Sequence, residues 1–339
     1  MSDTKIKIAL VGAGGWGMQH ARILAGREDV EFCAIVGRTP EKTRARAERF
    51  GVRHYLAIQA MLEKERPDLV SLCLPNKGHF EATLQVIRAG YPLFVEKPLV
   101  FDLEQADTLL KEAGERNLFF GINFNHRYAK PVQMARAAIR EGRLGRIAFA
   151  TWRFGGGGGD CPEHENLIET QCHGFDMLEH LCGPIDSIAA QMTDAEGMKF
   201  STMVLALHFE SGAVGSLVGS YNSSYAYPGT HLVEINGLEG RVLIEDTVRR
   251  FSMHRKGCET GEVWEAGYFN DLDREFHRTF DRHFDALLDA FRSGEEPPVH
   301  ARAGRRALLL ARTAVRAFEE KKTVKVDKLG HITKHLGEE

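Results

Sequence analysis

Apolar runs alternate with amphipathic segments through the first third of the chain. Runs typical of strands occupy 6–11, 31–36, 69–74, 92–96 and 119–123, and segments with helical periodicity occupy 16–26, 40–50, 79–89 and 102–116. Strands and helices that alternate in this way predict a parallel sheet with helices on both faces. Thr39 before Pro40 is a typical helix start and Gly90 a typical helix end. We therefore predict a doubly wound α/β domain over residues 1–124.

The pattern changes after about residue 124. A helical segment at 131–141 precedes alternating segments at 146–154, 186–192, 201–209, 214–221, 231–236, 241–245 and 249–254, and further helical segments occupy 173–182, 272–291 and 302–320. The sequences ESGA and NGLEG are typical of turns between paired strands. We predict a second, α+β domain over residues 125–339, with a large, mostly antiparallel open sheet that helices cover on one face. The polar tail from residue 327 is expected to fray.

Composition narrows the classes of function. The chain has 339 residues, 43% of them hydrophobic, which is enough for two domains with sizeable cores. Its 44 basic and 47 acidic residues are nearly balanced, so we expect neither nucleic acid nor a membrane surface as a partner. The sequence shows neither a signal-peptide pattern nor an apolar run long enough to span a bilayer. With six sparse cysteines, it is expected to be a cytoplasmic protein with reduced thiols.

The first predicted strand leads into the sequence GAGGWG, in which Gly12, Gly14 and Gly17 form a GxGxxG pattern. Gly12 would allow a tight turn, Gly14 a close approach of the backbone to a pyrophosphate, and Gly17 close packing of helix on strand. Gly15 and Trp16, next to these glycines, are expected to bind the cofactor as well. A purely structural glycine loop is the alternative, but the flanking strand and helix favour a Rossmann domain that binds a dinucleotide.

The end of the second strand bears on the choice of nicotinamide cofactor. An acidic residue there would accept hydrogen bonds from the adenosine ribose of NAD, whereas a basic residue would accommodate the 2′-phosphate of NADP. The sequence has Gly37 at this position, followed by Arg38 and Thr39. We therefore expect NADP(H) to be preferred, with NAD(H) possible. The alternative is that Arg38 is simply an exposed residue in a turn.

Several motifs in a fixed order make the chain resemble the Gfo/Idh/MocA oxidoreductases, the family of glucose–fructose oxidoreductase and inositol dehydrogenase. They are the glycine pattern, LPNKGH at 74–79, VEKPL at 95–99, NHRYAKP at 125–131, GRLGRI at 142–147 and a His-x-x-Asp helix start at 173–176. The resemblance covers nearly the whole chain. It implies an NAD(P)-dependent enzyme that interconverts a secondary alcohol and a ketone on a sugar, cyclitol or related polyol, and a homodimer or homotetramer.

The resemblance also implies catalytic residues. The lysine of the E-K-P motif is Lys97, and a downstream D-x-x-x-H pair supplies an acid and a general base, in this chain Glu169 and His173. Glutamate in place of the aspartate of the family motif lengthens the side chain by one methylene, which can displace the carboxylate. The role of Glu169 is therefore the least secure of the three assignments. The chemistry asks for these residue types independently, because a histidine can take the hydroxyl proton and a lysine can stabilise the developing alkoxide. A structural histidine at a helix start is the alternative for His173.

Matching of positions to the same motifs extends the site. The residues expected to line the nicotinamide end of the cofactor are Leu74, Pro75, Asn76, His79, Glu96 and Lys97. Those expected at the substrate wall, besides Glu169 and His173, are Asn125, His126, Arg127, Trp152 and Asp176. Each also has an ordinary structural interpretation. Because an X-Pro bond adopts the cis form at low cost, we also predict a cis Lys97–Pro98 bond that aims the ammonium group toward the nicotinamide.

Rival interpretations remain for three features. A zinc site could draw on Cys161, His164, Cys172, His173, His180 and Cys182, but their spacing lacks paired C-x-x-C clusters, and we predict no metal. The glycine run at 155–160 is expected to be a mobile lid rather than a phosphate loop. A non-catalytic NAD(P)-binding sensor on the same fold is the alternative function, although such a protein would be expected to lose Lys97 or His173.

Overall fold

A computed structural model describes residues 5–75, 78–157, 163–197, 199–269 and 275–326. The chain forms two compact units. The first unit comprises residues 1–137, 244–252 and 262–308, and the second comprises residues 138–243, 253–261 and 309–339. The predicted domain boundary between residues 124 and 125 divides the chain into two continuous segments. The two units of the structure are defined by which residues pack together, and each combines separate segments of the chain.

The strands and helices of the described residues are numbered in chain order. The strands are β1 (Ile6–Val11), β2 (Val30–Val36), β3 (Arg53–Tyr55), β4 (Leu69–Leu72), β5 (Leu93–Val95), β6 (Phe120–Ile122), β7 (Ile147–Gly157), β8 (Ile185–Thr193), β9 (Thr202–Phe209), β10 (Val214–Ser220), β11 (Asn222–Ser223), β12 (His231–Gly237), β13 (Gly240–Glu245), β14 (Arg250–Arg255), β15 (Gly261–Glu265) and β16 (Val324–Lys325). The α-helices are α1 (Gly15–Ala25), α2 (Pro40–Phe50), α3 (Ile58–Glu65), α4 (His79–Arg88), α5 (Leu103–Glu115), α6 (Lys130–Arg140), α7 (Cys172–Cys182), α8 (Arg278–Ser293) and α9 (Arg302–Glu319). A 3-10 turn covers Asn125–Tyr128, another Ala195–Gly197, and a π-helical turn covers Asn166–Thr170.

The first unit contains a parallel sheet with the strand order β3-β2-β1-β4-β5-β6. Strand β4 is buried along its whole length and β1 nearly so, which explains their almost continuous apolar sequences. The prediction of a doubly wound parallel sheet is confirmed. Strand β3 and helix α3 were not predicted. Strand β3 is only three residues long and polar in sequence.

Helix α8 packs its apolar stripe into the core of the first unit. Its side chains in that core are Phe280, Phe284, Leu287 and Leu288, and they share one cluster with Ile8 and Leu10 of β1 and Phe94 of β5. The sequence predicted this helix over 272–291. In the structure it begins at Arg278, and residues 272–274 lie outside the described residues.

The larger sheet has the strand order β15-β14-β13-β12-β7-β10-β9-β8-β16, with β11 paired to β7. Its pairs are mostly antiparallel, as predicted, but β7 and β10 run parallel. Strand β9 alternates buried Met203, Leu205 and Leu207 with more exposed residues, so one face of this sheet is covered. The short strands β11, β15 and β16 carry weak patterns and were not predicted. Within the described residues, every helix is too short or too polar to cross a bilayer.

Candidate active site

The turn from β1 into the first residues of α1 needs glycine at two positions for steric reasons. Gly12 has a φ of +129°, and a Cβ atom there would lie 2.1 Å from the carbonyl oxygen of Cys73. A Cβ atom on Gly17 would lie 2.1 Å from the carbonyl oxygen of Gly12. These close approaches seat the start of α1 against the sheet, which is the packing that the sequence predicted.

The two remaining glycines of the loop face open space. A Cβ atom on Gly14 or Gly15 would have nothing within 4 Å, so the backbone at the start of α1 can be approached closely from outside. The first amides of a helix lack intrahelical partners and carry a partial positive charge. We call the segment Gly12–Gly17 the glycine cradle, and its open backbone fits a pyrophosphate. Trp16, within this segment, stacks on Phe280 with 5.6 Å between ring centroids.

A cavity of about 480 Å³ opens beside this loop. Its lining includes several of the predicted cofactor residues, namely Gly12, Gly14, Arg38, Thr39, Leu74 and Pro75. It also includes Lys42 on α2 and the apolar wall Leu56, Ala57 and Ile58, which the sequence did not lead us to predict. Lys42 could have been found as the residue one helical turn after Arg38. Asn76 lies outside the described residues.

The end of β2 is closed to a larger side chain. A Cβ atom on Gly37 would lie 2.3 Å from the Oγ1 of Thr43, whose hydroxyl donates to the carbonyl oxygen of Thr39 at 2.7 Å. An acidic side chain at position 37 would therefore collide with the first turns of α2. The charged side chains that line the cavity are the basic Arg38 and Lys42 beyond the end of β2 and the acidic Glu81 on α4.

Lys97 is the second residue after the end of β5, and the Lys97–Pro98 bond is cis, as predicted. That this bond aims the ammonium group toward the nicotinamide stays a prediction. The neighbouring Glu96 is buried, and burial by itself would raise the pKa of its carboxyl. The hydrogen bond and charge of His20 and the hydrogen bond from Asn123 outweigh burial, so that the pKa of Glu96 is lowered. Glu96 was expected to line the cofactor, and its carboxylate makes hydrogen bonds within the protein to His20, Asn123 and the backbone of Lys97.

His79 is the first residue of α4 and only 3% exposed. Burial lowers the pKa of its imidazole to about 4, although the charge of Glu96 and a hydrogen bond to the backbone of Pro98 oppose the shift. The ring is therefore neutral at physiological pH. Its Nε2 is buried and has no hydrogen-bond partner among the described residues. A buried polar atom of this kind fits a bound ligand that supplies the missing partner.

In the second unit, the predicted acid and base stand on consecutive helical turns. Glu169 belongs to the π-helical turn Asn166–Thr170, and His173 to the first turn of α7. Glu169 is half-buried and His173 buried. A π-helical turn is rare and frequently occurs at functional sites, and in this chain it ends just before the predicted base.

A buried network fixes the start of α7. The Nε1 of Trp152 donates to the Oε1 of Gln171 at 2.9 Å, and the Nε2 of Gln171 donates to the Oδ1 of Asn166 at 3.1 Å. A Cβ atom on Gly174 would lie 2.6 Å from the Nε1 of Trp152, so the helix lies directly against the indole. Trp152, expected at the substrate wall, is fully buried, and this placement supports a role in holding α7.

The other predicted substrate residues fall in both units. Asn125, His126 and Arg127 form the 3-10 turn of the first unit, where Asn125 and His126 are buried. The Nδ2 of Asn125 donates to the Oγ1 of Thr279 at 2.7 Å. Asp176 is buried on α7 in the second unit, one turn after His173.

The zinc hypothesis had combined six residues of 161–182. Cys161 lies outside the described residues, and the described members, such as His164 and Cys182, do not converge as a set of ligands. The described residues bring together one cluster of ligand type, which is His20, Cys73 and Glu96 in the first unit. Both ring nitrogens of His20 are already within hydrogen-bond distance of protein oxygens, so we interpret this cluster as part of a polar network.

The fold and the glycine cradle define a dinucleotide-binding protein, and comparison with known proteins specifies the family. Residues 6–124 match the NAD-binding Rossmann domain of the Gfo/Idh/MocA oxidoreductases, and residues 136–326 match the C-terminal α/β domain of the same family. The chain belongs to the Gfo/Idh/MocA oxidoreductase family, as its motifs had indicated.

Two relatives and two solved structures are distant in sequence but match over almost their full length. Myo-inositol 2-dehydrogenase of Thermotoga maritima is 25% identical, with 96% of this chain and 99% of the relative covered. Inositol 2-dehydrogenase of Rhizobium meliloti is 25% identical, with 95% and 99% covered. Among solved structures, levoglucosan dehydrogenase in complex with NADH and levoglucosan has a TM-score of 0.87 at 18% identity, with 96% of this chain and 100% of that chain covered. The WlbA dehydrogenase of Bordetella pertussis, in complex with NADH and UDP-GlcNAcA, has a TM-score of 0.81 at 21% identity, with 96% and 99% covered.

Proposed function

We propose that this protein is an NAD(P)-dependent dehydrogenase that interconverts a secondary alcohol and a ketone on a sugar, cyclitol or related polyol. The observation that carries the proposal is that one chain of this oxidoreductase family combines the glycine cradle with both expected proton-handling residues, Lys97 and His173. Relatives named as inositol 2-dehydrogenases, which match over nearly their whole length, support the class of substrate.

The reaction needs a place for one proton and one hydride. When bound, the nicotinamide ring supplies the acceptor or donor of the hydride. In the oxidising direction, an imidazole nitrogen of His173 takes the hydroxyl proton as the C=O bond forms. The ammonium group of Lys97 donates a hydrogen bond to the alcohol oxygen and stabilises its developing negative charge. Glu169 is the acidic partner of His173, and ketone reduction uses the same groups in reverse.

The preferred cofactor under this proposal is NADP(H). A 2′-phosphate would meet two basic side chains, Arg38 and Lys42, on the wall of the cavity. The steric closure at Gly37 supports the same choice, because an acidic side chain at that position would both collide with Thr43 and repel the phosphate. NAD(H) could still bind at the glycine cradle, but it has no 2′-phosphate to pair with Arg38 and Lys42.

A panel of cyclitols, pyranosides and open-chain polyols, each with NAD⁺ and with NADP⁺, tests the proposal directly. Reduced cofactor is followed by its absorbance. We expect turnover with at least one ring polyol and a higher kcat/KM with NADP⁺ than with NAD⁺. Cofactor binding without turnover on any alcohol or the matching ketones would instead indicate a sensor that uses the same fold.

We also propose a homodimer or homotetramer formed through the open face of the larger sheet. Val204 and Val214 lie on that face and are 51% and 53% exposed. Exposed apolar side chains on an open sheet face are typical of an interface between subunits. Sedimentation velocity is expected to show a dimer or larger species at micromolar concentration, and Val204→Lys is expected to dissociate it. Leu238→Lys, at an exposed turn, is the matched control, and a monomeric wild type would contradict the proposal.

A further inference from the structure

A buried network of hydrogen bonds surrounds the carboxylate of Glu96 in the first unit. Its Oε1 lies 2.8 Å from the Nε2 of His20 and accepts from the Nδ2 of Asn123 at 2.7 Å. Its Oε2 accepts from the backbone amide of Lys97 at 3.3 Å. Both oxygens are therefore engaged, and one of the contacts is to the backbone of Lys97 itself.

The network continues outward to two further elements. The Nδ1 of His20 lies 2.7 Å from the Oγ of Ser71 on β4, and the Oδ1 of Asn123 lies 2.8 Å from the Nδ1 of His283 on α8. These contacts join residues that are 51 to 160 positions apart in the chain. The carboxylate of Glu96 is thus tied to α1, to β4, to the end of β6 and to α8.

The direction of each hydrogen bond follows from the charges. Because the Glu96 carboxylate is ionised, the Nε2 of His20 must donate to it, and the Nδ1 of the same ring lies within hydrogen-bond distance of the Ser71 hydroxyl. Burial lowers the pKa of His283 well below its usual value, and the charges of Arg127 and His20 act in the same direction. Because the Oδ1 of Asn123 is an amide oxygen and can only accept, the Nδ1 of His283 donates to it. Both contacts of Asn123 pair a donor with an acceptor, whereas the Nε2 of His283, at the outer end of the network, is buried without a partner among the described residues. Buried hydrogen bonds of this kind restrict the positions of the residues that they join.

We propose that His20 is a positioning residue for Lys97. Through Glu96 it fixes the backbone of Lys97 against helix α1, whose first turn forms the glycine cradle for the cofactor. The inference rests on the proposed function in so far as Lys97 is the group that holds the substrate oxygen. It assigns Glu96 to the support of Lys97 rather than to the lining of the cofactor, and it adds His20, Ser71 and Asn123 to the residues on which the reaction depends.

Two variants of His20 separate its contacts. In His20→Gln, the side-chain amide can still donate to Glu96 from a position close to the former Nε2. In His20→Asn, the shorter amide can reach Ser71 but not Glu96. Thr313→Val is the matched control, because Thr313 is a buried residue of the second unit that donates only locally, to the carbonyl oxygen of Leu309 at 2.8 Å. It should reproduce a general loss of stability without touching the network.

The first readout needs neither substrate nor cofactor. Competitive acetylation of the whole protein by acetic anhydride, followed by mass spectrometry of peptides, gives the reactivity of Lys97 relative to exposed Lys64. We expect His20→Asn to change this ratio by roughly fivefold to tenfold, and His20→Gln and Thr313→Val to change it by less than about twofold. Should His20→Asn fail to fold, Ser71→Ala, which removes the contact behind His20, is expected to change the ratio by about threefold.

The second readout is kinetic and uses the best alcohol from the polyol panel. Loss of positioning should lower kcat by about tenfold while the NADPH dissociation constant stays within about twofold. A ratio and a kcat that do not respond to His20→Asn, or a control that responds equally, would show that the network only stabilises the fold. If the wild type oxidises no alcohol, the proposed function fails, and the acetylation ratio still decides this inference by itself.

Discussion

The basic wall of the cofactor cavity gives the sharpest test of cofactor choice. Arg38→Ala removes a guanidinium that would pair with the 2′-phosphate of NADP, a group that NAD lacks. A shielded charge-assisted pair contributes about 1.5–3 kcal/mol, and because Arg38 is exposed we expect roughly 1–2 kcal/mol for this pair. This corresponds to a loss of NADP affinity of about fivefold to thirtyfold, with NAD affinity changed by less than about twofold.

The assay is titration of NADPH and NADH followed by the fluorescence of the reduced nicotinamide. Lys42→Ala should act in the same direction, and the double variant shows whether the two cations share one phosphate. Arg44→Ala is the matched control. Arg44 lies on α2, as Lys42 does, but it pairs with Glu48 at 3.8 Å and is not among the residues that line the cavity. Equal losses for NADPH and NADH in Arg38→Ala would refute the assignment, as would a wild type that binds NADH more tightly.

Three further predictions concern single side chains of the candidate site. Lys97→Met should lower kcat by about a hundredfold or more while folding and NADPH binding stay nearly unchanged, and wild-type turnover in this variant would refute the mechanism. His173→Ala should lose about a hundredfold or more in kcat, with residual activity that rises with pH because hydroxide partly replaces the base, and a flat pH profile would speak against that role. For His79, the pKa lies at 6.5 in the unfolded chain and at about 4 in the folded protein, so the unfolded state binds more protons between these values. The free energy of unfolding should therefore fall as pH falls from 6.5 toward 4, and chemical denaturation should show a shallower decline in His79→Gln; equal slopes would contradict the assignment.

Much of the first unit was determined locally by the sequence. The strand at 6–11, the glycines after it and the helix that follows are specified by apolar periodicity and by steric needs within a few residues. The positions of Lys97 and His173 at element ends could be predicted for the same reason. The cis Lys97–Pro98 bond could be anticipated because a peptide bond before proline adopts the cis form at low cost.

Other features depend on residues that meet only after folding. Strand β3 was missed because three polar residues carry no readable period, and its strand character comes from pairing with β2. Helix α8 was expected in the second domain because it follows the strands of that domain in sequence. In the structure, its phenylalanines pack in the core of the first unit. Trp152 was expected beside the substrate, and its hydrogen bond to Gln171 and its close contact with Gly174, which support a role in holding α7, arise only from packing.

The sequence by itself determined the class of fold, the cofactor loop and the identity of the residues expected to handle protons. Tertiary structure decided what supports them, as in the network that joins His20, Glu96 and Asn123 across 76 and 27 positions of the chain. The physical reason is a difference in range. Backbone propensity, periodicity and turn chemistry act between neighbours along the chain, whereas a buried hydrogen bond selects its partner by geometry and charge that exist only once the distant segments have packed.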